Sequence, residues 1–308
     1  MAESAAARIG LLVGSRDSSG ALVASDGTVL ARVSVPNAGT PREGIEGLSA
    51  MASSLHRKAE RLAVPVSGVG VGFPGVIDPG DGSIRGTRIA MRAWRGSPLA
   101  QLLGERLDVP VTVRNDVVCI MLGEAAAGAA VGERDVVLAY SSAGVGGAIM
   151  LDGTVFLGRR GAAGHIGHVP SAAAAGLRCT CGGSGHLDSV ASATGMTRWF
   201  REQRRLDPAD APYLGVVSQA ARRGDPVAIQ ALVRGGSALG VALGGLANLL
   251  EPDVVILAGE SSADRHYREA AVAALQAEII PGGFHPEARL AALGGDAQLV
   301  GAALGARD

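Results

Sequence analysis

Apolar residues open the chain in short bursts punctuated by glycine and aspartate. Ile9 to Val13 reads as a strand, GSRDSSG as a turn, and Gly20 to Ala24 as a second strand. Asp26-Gly27 is a hairpin signal ahead of a third strand, Thr28 to Val35. The period then changes to that of a helix, predicted over Glu43 to Leu62, before a buried strand at Val66 to Val71. The segment FPGVIDPGDG reads as loop. A helix within Trp94 to Leu107, a strand at Val109 to Val113 and a helix over Asp116 to Ala130 follow.

The pattern then restarts. Asp135 to Tyr140 reads as a strand, SSAGVGG as a loop, and Ala148 to Leu151 as a strand ending in a second hairpin at Asp152-Gly153. GALVASDGTVL at Gly20 to Leu30 and GAIMLDGTVF at Gly147 to Phe156 share a glycine-bearing loop, an apolar strand, a DG turn and a strand opening Thr-Val. Matching glycine loops ahead of both hairpins favour an internal duplication over chance. The expectation is two β-β-β-α halves with a cleft between them and one glycine loop from each half pointing into it. Helices are predicted over Asp188 to Arg204, Leu214 to Arg223, Pro226 to Leu250 and Ala297 to Ala306. A strand at Asp253 to Ala258 ends at Gly259.

With 308 residues, 47% hydrophobic and 19% charged, the chain can bury substantial cores and is globular. A net charge of −1 argues against a nucleic-acid-coating surface. Three cysteines do not make a disulfide scaffold, and no apolar run reaches the roughly 18 residues of a membrane span. The opening MAESAAAR lacks the basic and apolar blocks of a signal peptide, so a cytoplasmic location is expected. Lys58 is the only lysine, which leaves no Walker-type phosphate loop. Any nucleotide phosphates must therefore be carried by glycine-loop amides and a metal.

The strongest local chemistry is the run from His168 through CTCGGSGH. His168, Cys179, Cys181 and His186 offer two imidazoles and two thiols, a set suited to tetrahedral zinc in a closed structural site. The alternative is a reduced cysteine pair in a glycine-rich surface loop. Asn115-Asp116 stands at a strand end and a helix start. One of the two can cap the helix, and the other could accept a proton from a sugar hydroxyl during phosphoryl transfer. The string His165 to His168, HIGH, copies a tRNA-synthetase signature, but the lysine-bearing partner signature is absent and the histidines read as loop residues.

These segments together resemble the ROK family of repressors, open reading frames and kinases. GFPGVID resembles its sugar loop, RNDVVCIMLGE its catalytic Asn-Asp segment, and SSAGVGGAIMLDG its second phosphate loop. GAAGHIGHV resembles its E-x-G-H motif, CTCGGSGHLD its zinc motif, EPDVVILAGE its adenosine-side strand, and DAQLVGAALGA its closing helix. The resemblance implies an α/β, duplicated actin-like ATPase (ribonuclease-H-like) fold in two lobes with an interlobe cleft. It implies a small lobe at 1–117, joined by the helix 296–308, and a large lobe at 118–295 carrying the zinc loop. Asp116 would deprotonate the 6-hydroxyl of a hexose or amino hexose, while Gly75, Asn115, His165, His168 and Asp188 would surround the sugar. Gly14, Ser15, Gly144, Gly146 and Gly147 would flank ATP-Mg2+ phosphates, with Gly259 near the adenosine. His168, Cys179, Cys181 and His186 would hold structural Zn2+, and the protein would be a homodimer. Its partners would be a sugar and ATP, without nucleic acid or membrane.

The departures from the family pattern carry information. The first loop reads LVGSR where kinases of the family carry D-x-G-G-T, so Leu12 replaces a magnesium-organising aspartate. Ala143 and Ala258 replace a threonine and a glycine of the nucleotide loops, and such erosion is a habit of the family's repressors. No helix-turn-helix precedes the first strand, so no DNA reader is expected. His165 replaces the glutamate of E-x-G-H, as in N-acylmannosamine kinases, and points toward a modified or amino hexose. The expectation is therefore an ATP-dependent sugar 6-kinase, with a catalytically impaired sugar sensor of the same family as the alternative.

Overall fold

A computed structural model of the chain describes residues 6–14, 17–36, 40–87, 89–207 and 213–306. The chain forms two units, one of residues 1–132, 155–163 and 292–308, the other of residues 133–154 and 164–291.

In the first unit, β1 (Ala7–Leu12), β2 (Asp17–Val23) and β3 (Val29–Pro36) form an antiparallel meander. The hairpin joining β2 and β3 closes through Ala24 and Thr28, with Gly27 at φ 87° and the Asp26 carboxylate accepting from the Thr28 amide at 2.9 Å. After β3 the chain enters α1 (Pro41–Arg61), whose start is set by a capping box between Thr40 and Glu43 with proline at the first turn. That box places the start ahead of the Glu43 expected from apolar spacing alone. Ile45, Leu48, Ala52, Leu55 and Ala59 recur at helical spacing, and all are buried. Fully burying a leucine such as Leu55 contributes about 1.5–3 kcal/mol, which anchors α1 on the sheet.

The crossover returns the chain as β4 (Val66–Phe73), parallel to β1, and a second crossover leads to β7 (Val111–Asn115), parallel to β4. Sheet order is β3-β2-β1-β4-β7. FPGVIDPGDG is not the plain loop its Pro-Gly content suggested. Gly75–Ile77 forms β5 and pairs antiparallel with β6 (Ile84–Thr87), around a turn in which the Asp78 and Asp81 carboxylates accept from the Gly80 and Ser83 amides, both at 2.8 Å. The helix expected within Trp94 to Leu107 is α2 (Leu99–Leu107), which starts directly after Pro98 at its N-cap. β7 begins at Val111 rather than Val109 and runs through Asn115.

Next comes α3 (Asp116–Ala127), which packs against the chain's last helix, α10 (Ala297–Leu304). Glu124 in α3 is wholly buried and accepts from the amides of Ala129 at 2.7 Å, Ala292 at 2.9 Å and Leu293 at 2.9 Å. This carboxylate ties the segment entering α10 to α3. Residues 116–132 and 292–308 both fall in the first unit.

The second unit repeats the plan. β8 (Val136–Ser141) pairs antiparallel with β9 (Val145–Leu151), followed by β10 (Thr154–Val155); β11 (Val254–Ala258) lies parallel to β8, and β12 (Glu287–Leu290) parallel to β11. The order β10-β9-β8-β11-β12 repeats that of the first sheet position for position. The two DG segments occupy equivalent hairpins, but the turns differ. Asp152 and Gly153 both have positive φ, 51° and 74°, as a two-residue loop requires, whereas the first hairpin spans three residues.

The helix expected over Asp188 to Arg204 is two helices, α4 (Asp188–Ala191) and α5 (Ala193–Arg204). Ser192 separates them in an extended conformation and caps α5 by accepting from the Gly195 amide at 3.0 Å. α6 (Leu214–Arg222), α7 (Pro226–Leu250), α8 (Glu260–Ala263) and α9 (Arg265–Glu278) complete the unit. By length and composition α7 could cross a membrane, contrary to the reading that no stretch qualifies. It instead buries Leu232, Leu239 and Leu243 in the core shared with α5, α6 and α9.

Candidate active site and metal centre

Each unit carries its own part of the predicted chemistry. In the first, the C-terminal end of β7 delivers Asn115 and the first turn of α3 delivers Asp116. Asn115 is the cap: its Oδ1 accepts from the amides of Val117 at 2.8 Å and Val118 at 3.2 Å. Its Nδ2 donates to the Gly75 carbonyl at 2.9 Å, so one side chain fixes both the helix start and β5. That leaves a single amide hydrogen of Asn115 for any ligand. Asp116 is half-buried, and its Oδ1 also accepts from the Val117 amide, at 3.0 Å. Gly75 sits where a Cβ would overlap the Gly86 carbonyl, so its missing side chain serves the β5–β6 pairing.

Leu12 ends β1 opposite Gly72 of β4, and its Cδ1 would stand 3.1 Å from a Cβ at Gly72, whose next neighbours are the Cys119 thiol and the Asp116 backbone. An aliphatic side chain thus stands at the end of β1, with Gly72 of β4 between that strand and β7, which leads into Asp116. Asp17 begins β2, opposite Pro36 rather than Leu12, so it does not take over that position. Gly14 lies two residues beyond the end of β1, after Val13; Ser15 lies outside the described residues.

In the second unit, the loop after β8 is clamped to the α4–α5 junction. Ser141 Oγ donates to the Ala191 carbonyl at 2.9 Å, the Ala193 amide to the Ser142 carbonyl at 2.8 Å, and Thr194 Oγ1 to the Ala143 carbonyl at 2.6 Å. The Val145 amide donates to Asp188 Oδ1 at 2.7 Å, while Thr180 Oγ1 approaches Asp188 Oδ2 at 3.5 Å. Asp188 is buried, 7% exposed, and its carboxylate faces Gly144 and the start of β9. Ser192 and Thr194 were not singled out from the sequence. The signal lay in the string SATG, where a serine three residues before a glycine can cap a new helix. Gly146 and Gly147 continue β9, and Gly259, with φ 89°, packs against the Ser141 carbonyl. The second glycine loop and the glycine after β11 are therefore neighbours.

The segment Gly164–His168 lies directly on β9. Gly164 has φ 83°, and a Cβ there would stand 2.5 Å from the Gly147 carbonyl oxygen. A Cβ on Gly167 would overlap the Val145 carbonyl. Residues 166–168 form a 3-10 turn, whose threefold repeat puts positions three apart in line, and the His165 and His168 rings stack at 6.3 Å with 17° between planes. The glycines of GHIGH thus permit close backbone contact, and the histidines share one side.

His168, Cys179, Cys181 and His186 converge, with one ligand atom from each lying within 4.8 Å of all the others. Cys179 Sγ is 3.8 Å from His168 Nδ1, and Cys181 Sγ is 3.3 Å from His186 Nδ1. A glycine hairpin brings the thiols together: the Cys179 amide donates to the Gly183 carbonyl at 2.9 Å and the Gly182 amide to the Cys179 carbonyl at 3.0 Å. A tetrahedral zinc with bonds of about 2.0–2.3 Å places its ligand atoms about 3.3–3.8 Å apart, so the donor set fits that ion and the two Cys–His pairs already stand at that spacing. Burial pushes the Cys179 thiol up and holds the His168 imidazole down, the latter partly offset by the Asp188 charge. Both shifts favour neutral groups, so metal uptake would displace thiol protons.

Gly75, Asn115 and Asp116 are thus assembled within the first unit, and His165, His168, the other three metal candidates, Asp188, Gly144 and Gly259 within the second. The ROK family model matches residues 8–308. A glucokinase of Halalkalibacterium halodurans is 35% identical over 246 residues, 76% of this chain and 74% of that protein. The DNA-binding transcriptional dual regulator NagC of Escherichia coli is 29% identical over 265 residues, 82% of this chain and 63% of that protein. The crystal structure of a ROK family glucokinase from Streptomyces griseus, in complex with glucose and AMPPNP, matches with a TM-score of 0.82 at 28% identity over 98% of this chain and 99% of that one. Two sheets of identical order, this structural likeness and a match across nearly the whole length show a duplicated actin-like ATPase fold, and the chain belongs to the ROK family.

Proposed function

We propose that the chain is an ATP-dependent sugar kinase acting on the 6-hydroxyl of a hexose or amino hexose of the glucose, N-acylmannosamine or aminoglucose type. The observation that carries this reading is the division of labour at β7–α3. Asn115 Oδ1 accepts from both the Val117 and Val118 amides, while the adjoining Asp116 carboxylate accepts from Val117 through Oδ1, so the helix start holds a carboxylate beside its cap. Asp116 takes the 6-hydroxyl proton as that oxygen attacks the γ-phosphorus and ADP departs. Gly75, Asn115, His165 and His168 recognise the sugar. Loops at Gly14-Ser15 and Gly144–Gly147 approach the phosphates, with Gly259 on the nucleoside side. The glucose and AMPPNP carried by the Streptomyces griseus relative support the substrate classes. Zinc held by His168, Cys179, Cys181 and His186 fixes the hairpin and supplies no chemistry to the transfer. Since Leu12 offers no oxygen, Mg2+ arrives held by the nucleotide phosphates and water. The reading includes a cytoplasmic homodimer.

His165 in place of a carboxylate favours a 2-substituted sugar over plain glucose. Turnover measured across glucose, N-acetylglucosamine, N-acetylmannosamine and aminoglucoses, each with ATP-Mg2+, tests this. Phosphorylation of at least one hexose is expected, with the highest kcat/KM for a 2-substituted one. Leu12 favours one second reading, a sugar-binding regulator with impaired transfer, because an apolar side chain stands where charge would be organised. Sugar binding by calorimetry without turnover on any member of the panel would establish that reading instead.

A further inference from the structure

The family pattern assigns position 188 to the sugar, yet its carboxylate here is turned into the protein. Asp188 is 7% exposed, and its Oδ1 accepts the Val145 amide at 2.7 Å, a bond buried on both sides. The same oxygen would stand 3.0 Å from a Cβ at Gly144. Oδ2 faces Thr180, the residue between the two candidate metal-binding cysteines. Two residues upstream stands His186, a member of the metal cluster, whose carbonyl accepts from the Ser189 amide at 3.0 Å, and Ser189 Oγ in turn donates to the Arg178 carbonyl at 3.2 Å. Downstream, the Asp188 carbonyl accepts from Ser192 Oγ at 2.6 Å, and Ser192 leads into the residues that hold the carbonyls of Ser142 and Ala143. The stretch 186–194 therefore begins in the metal cluster and ends on the loop after β8.

We infer that Asp188 is a positioning residue that latches the second phosphate loop, Ser142–Val145, to the metal-binding hairpin. It is not a sugar ligand. Its Oδ1 meets the Val145 amide while lying close against Gly144, where a side chain would crowd it. A charge-assisted bond to a buried amide is among the stronger hydrogen bonds, and its removal leaves the N–H unpaired. The hairpin, held by its ion, then sets where that amide points. The inference rests on the kinase reading only for its consequence in turnover; the latch itself is a property of the fold.

Hydrogen exchange of wild type, Asp188→Ala and Asp188→Asn is the test, with each protein measured with and without a zinc chelator. Exchange at residues 142–147 is expected to rise about tenfold or more in Asp188→Ala, and to rise in wild type on zinc removal. In Asp188→Asn, which keeps the shape and a weaker acceptor, an intermediate rise is expected; this variant carries the test should the alanine variant fail to fold. Unchanged protection of 142–147 in a folded variant overturns the latch. Calorimetry separates the assignments: the latch predicts weaker ATP-Mg2+ binding with glucose or N-acetylmannosamine affinity within about twofold, and a tenfold loss of sugar affinity with ATP unaffected would return Asp188 to the sugar. If wild type binds neither sugar nor ATP, the kinase reading fails while the exchange result still decides the latch.

Discussion

Asn115 donates from Nδ2 to the Gly75 carbonyl at 2.9 Å while its Oδ1 caps α3, so a single amide side chain joins the β5 strand to the helix bearing Asp116. The position uses an acceptor and a donor on separate atoms of one short side chain, which the asparagine amide supplies.

Replacing Asn115 separates these functions. Asn115→Ala is expected to cost about 1 kcal/mol or more through the lost cap, read as a lower denaturation midpoint. Asn115→Asp keeps the capping oxygen and loses the donor to Gly75. It should recover most of the stability while sugar turnover stays depressed. Equal stability loss in the two variants would contradict the assignment of the cap.

Close contact at Gly164 gives a second expectation. With φ at 83° and only 2.5 Å between the place of a Cβ and the Gly147 oxygen, the backbone leaves no room for a side chain. Gly164→Ala should destabilise the protein by about 1–3 kcal/mol, measured by urea titration. It should also separate the stacked histidines from β9, so sugar affinity falls with it. A variant as stable as wild type would show that the segment can lift without cost.

Zinc content is directly measurable. Metal analysis of purified protein is expected to find about one zinc per chain, and Cys181→Ser should lose it while leaving the buried Cys179 in place. Since uptake displaces thiol protons, affinity should weaken as pH falls. Full zinc occupancy in Cys181→Ser would remove that thiol from the site.

The start of α7 offers a pH-dependent test remote from this chemistry. Asp225 caps the helix by accepting from the amides of Val227 at 2.9 Å and Ala228 at 3.1 Å, and it pairs with Arg204. The Arg204 guanidinium and these amides hold its carboxyl below the usual carboxylate range. A lowered folded-state value contributes stability that is present above the unfolded value and is lost as pH falls through the folded one. Asp225→Ala should therefore be less stable than wild type by about 1 kcal/mol at neutral pH, with the difference closing in acid. A gap that persists at low pH would point to packing instead.

The duplication was legible because GALVASDGTVL and GAIMLDGTVF occupy equivalent hairpins in the two sheets. The metal cluster was legible from residue chemistry alone, since few histidines and cysteines exist to be grouped. Three features were hidden for physical reasons. The β5–β6 hairpin is built from proline, glycine and aspartate, which local statistics assign to loop. The break at Ser192 was missed because serine is tolerated inside helices as well as favoured at their caps. The Asp188–Val145 bond joins residues 43 apart in sequence, and no local pattern announces such a contact.

The central claim is that the Asp116 carboxylate serves as the base for phosphoryl transfer to a hexose. Steady-state turnover of Asp116→Asn, measured beside wild type on the best sugar of the panel, tests it most directly. The account predicts a loss of kcat of about 10²–10⁴-fold, with sugar affinity by calorimetry little changed and the fold intact. An Asp116→Asn variant that phosphorylates sugar at the wild-type rate would contradict it.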